Sequence, residues 1–153
     1  MATSVKVPYV CGPLTELPAE IQQQTKELYC KIADVCESSL GVRAFVPHEH
    51  YDPIKHADFT PWQVDAAERY QVSEKTSVLI VMAIAPSWGG GIEVEIANKS
   101  GVCVVIYHPA DKKVSRLLRG NPAVIGTFSY QNEEQMLGFL EQQLWNLRTR
   151  KIA

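Results

Sequence analysis

The run Ser77–Ile84 (SVLIVMAI) constrains this chain more than any other segment. It is continuously apolar, of strand length and free of polar alternation. Such a strand must be buried on both faces, as in a parallel sheet covered by helices on each side. Its neighbours agree. Val5–Cys11 reads as a first strand, weakened by Pro8, which cannot donate to a ladder. Pro18 opens a helix to about Leu40, with Ile21, Leu28, Ile32 and Val35 on one face, and Gly41 ends it. Arg43–Val46 is a short second strand. Thr60-Pro61-Trp62-Gln63 combines a Thr cap, Pro at the first helical position and Gln three residues after the cap, and starts a helix to about Lys75. Gly89–Gly91 leads into a helix ending near Ser100-Gly101. Val102–His108 and Ala123–Phe128 are the fourth and fifth strands, with a short basic helix, Asp111–Arg119, between them. Asn132 to Arg148 is the last helix, with Met136, Leu140, Leu144 and Leu147 inward. This alternation predicts one α/β domain over 1–153: a three-layer sandwich around a five-stranded parallel sheet of flavodoxin or Rossmann-like order 2-1-3-4-5. Ligands in such sheets bind beyond the C-terminal strand ends.

Composition narrows the function classes. Fifteen Lys and Arg against 17 Asp and Glu leave a net charge of -2, which argues against a partner that is a nucleic acid polymer. The longest apolar run, Val78 to Pro86, falls short of the roughly 20 residues that span a bilayer. Met1 to Val10 has no signal-peptide core, so no membrane partner is expected. Four cysteines at 11, 30, 36 and 103 form no CxxC, and Cys11 and Cys103 lie in apolar runs, as buried thiols do; a reducing, cytoplasmic location is expected.

Chemistry concentrates in Ser87-Trp88-Gly89-Gly90-Gly91-Ile92-Glu93, where the buried strand turns into a helix. Glycines let the backbone approach a ligand closely, and a helix N-terminus offers unpaired N–H groups to an anion. The spacing is neither GxGxxG nor a Walker A loop; by itself the turn also reads as a tight connection with Ser87 as helix cap. Glu93 shares a face with Ala97, whereas Glu95 points to the other side. A carboxylate beside an anion-binding turn suits attack on an electrophilic sugar carbon; the plainer role is a charge near the positive end of the helix dipole. Pro47–Phe59 carries His48, His50 and His56. HxH in a loop is a weak metal signal, so no metal is expected, and the segment reads as a lid in which His and Tyr cover a ligand, or as a plain surface loop. Trp62 and Trp88 are suited to stacking on a base or, for Trp62, to packing.

Pro86–Ala97 (PSWGGGIEVEIA) resembles the active-site segment of the nucleoside 2-deoxyribosyltransferase superfamily, closest to its branch of 2′-deoxynucleoside 5′-monophosphate N-glycosidases, whose pattern is Pro-Ser-x-Gly-x-Gly-x-Glu. The resemblance implies Glu93 as the nucleophile at C1′ and Ser87 as a contact to the 5′-phosphate, with Gly89 and Gly91 in the same turn. Deoxyribosyltransferases acting on free nucleosides usually carry Asp at the Ser87 place, and the physics agrees: a carboxylate repels a phosphate dianion, whereas a hydroxyl donates to it. Tyr9-Val10-Cys11-Gly12 resembles the branch's first strand and turn, with Tyr9 near the sugar and Gly12 in the binding turn. Ser115-Arg116-Leu117-Leu118-Arg119-Gly120 resembles a segment whose serine, here Ser115, reaches the phosphate of the neighbouring subunit, so at least a dimer is implied.

The family's acid is an Asp on the helix before the third strand. Ungapped alignment puts Arg69 there; the helical register of Val64, Glu68 and Val72 makes Glu68 the better candidate and Asp65 the second. Thr76-Ser77 stands where the family tends to have Asp. The implied activity is hydrolysis of the N-glycosidic bond of a (deoxy)nucleoside 5′-monophosphate, without a cofactor. Two alternatives are a transferase moving deoxyribose between bases and a nucleotide-binding sensor without turnover.

Overall fold

The structure, a computed structural model, describes residues 4–150; the outermost residues of the expected 1–153 domain, 1–3 and 151–153, lie outside the described residues. The elements are β1 (Val7–Cys11), α1 (Ala19–Leu40), α2 (Pro47–Tyr51), α3 (Pro61–Lys75), β2 (Thr76–Met82), α4 (Trp88–Lys99), β3 (Cys103–Pro109), α5 (Arg116–Arg119), β4 (Val124–Tyr130) and α6 (Glu133–Arg150). The expected punctuation is where the chain turns. Thr60 accepts from the Gln63 N–H while the Gln63 side chain accepts from the Thr60 N–H, a complete capping box. Gly41 ends α1 at φ 76°, a left-handed conformation that a Cβ would strain.

The sheet is parallel but has four strands, in the order β1-β2-β3-β4, not five in the order 2-1-3-4-5. Arg43–Val46, the expected second strand, makes a single parallel bridge, Phe45 to Tyr9, on the edge of β1 away from β2. Pro47 opens α2 at once, so no second pair of ladder bonds can form. Pro8 has a related effect on β1, where the register with β2 shifts between Val7 and Tyr9. The expected basic helix 111–119 shortens to Arg116–Arg119 because Ser115 is its cap.

Period-two alternation sends each strand's residues to two cores. Val10, Ile80, Met82, Val105 and Tyr107 pack with Tyr29 and Ile32 of α1 and Met136 and Leu140 of α6. Tyr9, Cys11, Leu79, Val81, Val104 and Ile106 pack with Val72 of α3 and Val94 and Ala97 of α4. The result is the expected three-layer arrangement, with β2 and β3 central. Ile21, expected inward on α1, is 45% exposed; Thr25 and Tyr29 take the inner face instead. After β1 the chain passes to Phe45 on one side and then to β2 on the other. The crevice outside the C-terminal ends of β1 and β2 is therefore the place where such a sheet opens to a ligand.

Gly12, the first residue past β1, has a packing reason for being glycine. A Cβ there would lie 2.2 Å from the Tyr29 hydroxyl and 3.1 Å from the Met82 carbonyl oxygen. Tyr29 cannot easily yield, because it is buried and its hydroxyl donates to the Pro13 carbonyl at 2.7 Å. Overpacking of this kind costs about 1–3 kcal/mol. Gly12→Ala should lower Tm by roughly 2–12 °C in calorimetry, at about 2–4 °C per kcal/mol for a chain of this size. An unchanged Tm would show that Tyr29 gives way without loss.

Candidate active site

Two cavities open at the C-terminal end of the sheet. The smaller, of about 580 Å³, is bounded by the β1 and β2 exits, α3, α4 and the 47–59 segment, and contains Glu93 and Glu68. The larger, of about 960 Å³, lies between the β2–α4 turn and the segment after β3, and contains Lys112, Lys113 and Ser115. Gly12, Ser87, Gly90 and Ile92 border both.

Glu93 is the centre of the smaller cavity. It lies beyond the first turn of α4, on the buried face with Val94 and Ala97, and is 9% exposed. The helix dipole fades past its first turn, so a dipole role does not account for a carboxylate at this depth. Its partners come from the neighbouring strand. Tyr9 and Cys11 are two residues apart on β1, so both side chains face α4. The Tyr9 hydroxyl donates to Glu93 Oε1. The Cys11 thiol donates to the Gly90 carbonyl at 3.8 Å and helps hold the Glu93 charge. Burial raises the Glu93 pKa, and these two donors oppose the rise. Burial, followed by the charge on Glu93, drives the Tyr9 pKa well up, which keeps its phenol a donor.

Glu68 reaches the same cavity from α3. Val64 and Glu68 are half-buried and Val72 fully buried on one helix face, as their spacing predicts. Burial, then the negative charges of Glu93 and Asp65, push the Glu68 pKa up to about 7. Arg69, where ungapped alignment places the acid, lies at the exposed rim of the cavity and donates through Nε to both Asp65 oxygens at 2.9 and 2.8 Å. Two carboxyl groups thus meet in one cavity, and Glu68 retains its proton near neutrality. That pairing suits general-acid and nucleophile chemistry.

Ser87 caps α4, accepting from the Gly90 N–H at 3.1 Å, and its own hydroxyl proton remains available to an anion. The Gly91 N–H is committed to the Ser87 carbonyl at 3.2 Å, leaving the Trp88 and Gly89 amides as the open donors of the turn. A Cβ at Gly89 or Gly91 would meet nothing within 4 Å, whereas one at Gly90 would press on Ser87 and on Cys11 Sγ at 3.4 Å. The tightest backbone approach is therefore at Gly90. Ser115 accepts from the Leu118 N–H at 3.5 Å and borders only the larger cavity, apart from the Glu93 of its own chain.

The 47–59 segment begins as α2 and continues in turns, and His48, Tyr51, His56 and Phe59 form one wall of the smaller cavity. His50 faces elsewhere: its ring stacks on Phe45 at 4.4 Å, and Phe45 stacks on Tyr9 at 5.3 Å. Burial lowers the His48 pKa, favouring the neutral ring. No group of three or more His, Cys, Asp or Glu among the described residues could hold a metal ion. Trp62 is 81% exposed and borders neither cavity, so it does not pack as its helix-start position suggested. Trp88, 89% exposed, borders the larger one.

Sequence reasoning passed over Cys11 as a site residue, although its spacing from Tyr9 was the available signal. It also missed the anchor of the 52–59 segment: Asp52, 2% exposed, accepts from Lys26 Nζ at 2.6 Å and from the N–H groups of Ile54 and Lys55. The Lys26 hydrogen bond leads in holding the Asp52 carboxyl far below its usual range. No local pattern links residues so far apart in the chain.

No family model matches the chain, and no curated protein matches it. Solved structures do. The CMP N-glycosidase BcmB of Clostridium botulinum is similar with a TM-score of 0.66 and 19% identity, over 90% of this chain and 99% of that one. A conserved protein of Enterococcus faecalis V583 is similar with a TM-score of 0.61 and 16% identity, over 92% of this chain and 99% of that one. At these identities the likeness establishes the fold. Among the described residues, no helix is long and apolar enough to cross a membrane.

The Tyr9–Glu93 bond can be tested alone. A hydrogen bond to a charged group is worth roughly 1.5–3 kcal/mol, equivalent to about 1–2 pKa units. Tyr9→Phe should raise the Glu93 pKa by about that much in a carboxyl ¹³C NMR titration. An unmoved titration would show that Tyr9 does not hold the charge.

Proposed function

We propose that this protein hydrolyses the N-glycosidic bond of a (deoxy)nucleoside 5′-monophosphate, releasing free base and sugar 5-phosphate. The observation that carries the reading is the pair of carboxyl groups in one cavity: Glu93 buried and held by Tyr9, Glu68 half-buried with its pKa raised to about 7. The CMP N-glycosidase with a similar fold supports the substrate class. In this reading a Glu93 oxygen attacks C1′. The C1′–N bond breaks with its electron pair going to the base, which takes the Glu68 proton. Water then attacks C1′, returns a proton to Glu68 and frees Glu93. Tyr9 positions Glu93 beside the sugar. Ser87 and the Trp88 and Gly89 amides receive the phosphate, and the 47–59 segment covers the base. Ser115, on the larger cavity, completes a phosphate site only in a second copy, so the assembly in this reading is at least a dimer. No cofactor takes part.

Glu93→Gln should cut base release by orders of magnitude with nucleotide binding largely kept, measured by chromatography of free base. Turnover near the wild-type rate would overturn the mechanism. Ser87→Asp should weaken use of the monophosphate far more than use of the matched free nucleoside, and a wild type that prefers the free nucleoside would move the reading to the transferase. Because Glu68 acts protonated, kcat/KM should fall as pH rises through about 7. Glu68→Gln should be slower and lose that alkaline limb. A limb that persists in Glu68→Gln would assign the acid elsewhere.

A further inference from the structure

The cavity wall made by the 52–59 segment holds a hydrogen-bond donor whose tautomer the backbone dictates. The Asp52 N–H donates to His56 Nδ1 at 3.0 Å, and the His56 N–H donates back to the Asp52 carbonyl at 2.8 Å. A backbone N–H can only donate, so Nδ1 is an acceptor and the neutral ring carries its proton on Nε2. Asp52 cannot swing away, because its buried carboxylate is fixed by Lys26, Ile54 and Lys55. Phe59, with its ring centroid 6.0 Å away, flanks the imidazole. The ring is half-buried on the cavity wall, and Nε2–H has no partner among the described residues. Of the other charged groups bordering this cavity, Glu16, Asp65 and Glu93 are acceptors, Glu68 holds the proton that goes to the leaving base, and Arg69 is occupied by Asp65. A neutral donor held in place by the backbone is a reading device for an uncharged group that accepts.

We propose that His56 is a specificity-determining residue, whose Nε2–H donates to a ring nitrogen or carbonyl oxygen of the substrate's base. The proposal rests on the glycosidase reading of this cavity. With phosphate at the α4 turn and C1′ at Glu93, the base falls to the wall of Tyr51, His56 and Phe59. The bond strengthens as the base leaves with the electron pair of the broken C1′–N bond. His56 therefore favours nucleotides whose base has an unprotonated acceptor on that edge, and disfavours those with N–H or C–H there. Lys26 and Asp52 act through His56 as positioning residues.

The test pairs variants with substrates. Nucleoside 5′-monophosphates are compared with deaza analogues in which one base acceptor at a time becomes C–H, using wild type, His56→Ala and His56→Gln; the Gln amide restores a donor. One analogue should cost the wild type about tenfold in kcat/KM, as loss of one such bond predicts, and cost His56→Ala less than about twofold. His56→Gln should recover part of the discrimination. Equal sensitivity of wild type and His56→Ala to every analogue would overturn the proposal. Long-range ¹H–¹⁵N NMR of the histidine rings gives a readout independent of turnover. It should show His56 as the Nε2–H tautomer, with that resonance shifting when a nucleoside monophosphate is added. An Nδ1–H tautomer, or no shift on saturation, would also overturn it. If no nucleotide releases base while the His56 resonance still shifts on binding, the glycosidase reading fails and the base contact stands.

Discussion

The site depends on one buried carboxylate and the strand that holds it. Glu93 sits at the depth of Val94 and Ala97 on a helix packed against the sheet, where an unpaired carboxylate would not remain charged. Tyr9 makes the position tenable. Its hydroxyl meets Glu93 only because β1 is parallel to β2 and ends where α4 begins its descent. Tyr9 is in turn braced by Phe45, and Phe45 by His50, so a column of stacked rings runs from the partner of Glu93 to the 47–59 segment. Stacking of this kind is worth about 0.5–1.5 kcal/mol per aromatic pair and, more to the point, fixes ring orientation. The single Phe45 bridge is therefore more than a failed strand: it carries the support for Tyr9.

The second carboxylate takes its character from the first. Burial first, and then the negative charges of Glu93 and Asp65 in the same cavity, push the Glu68 pKa up to about 7. Two like groups in one site separate in protonation when one has donors and the other does not. Glu93 accepts from Tyr9 and has the Cys11 thiol nearby; Glu68 has no hydrogen-bond donor among the described residues. The division of labour proposed for Glu93 and Glu68 rests on that asymmetry in hydrogen bonding.

Much of this was legible in the sequence. The run Ser77–Ile84 announced a central strand, the Thr60–Gln63 box and Gly41 marked helix ends, and the four-residue spacing of Val64, Glu68 and Val72 placed Glu68 rather than Arg69 on the inner face of α3. What was not legible is non-local. Arg43–Val46 has the composition of a strand, but pairing was cut off by the Pro47 helix start. The role of Gly12 depends on Tyr29, and the shape of the 52–59 segment on Lys26. Neither partner can be inferred from local pattern. Cys11 was visible as a buried thiol, but its place beside Glu93 required knowing that α4 lies over that face of β1.

The proposed glycosidase reading turns on a covalent bond between Glu93 and the sugar. Acid-quenching the protein during turnover of a nucleoside 5′-monophosphate, followed by peptide mapping with mass spectrometry, tests it most directly. A sugar-phosphate adduct is expected on the peptide containing Glu93, at Glu93 itself. An adduct mapped to a different side chain, or base release with no adduct at any time point across the pre-steady state, would contradict it.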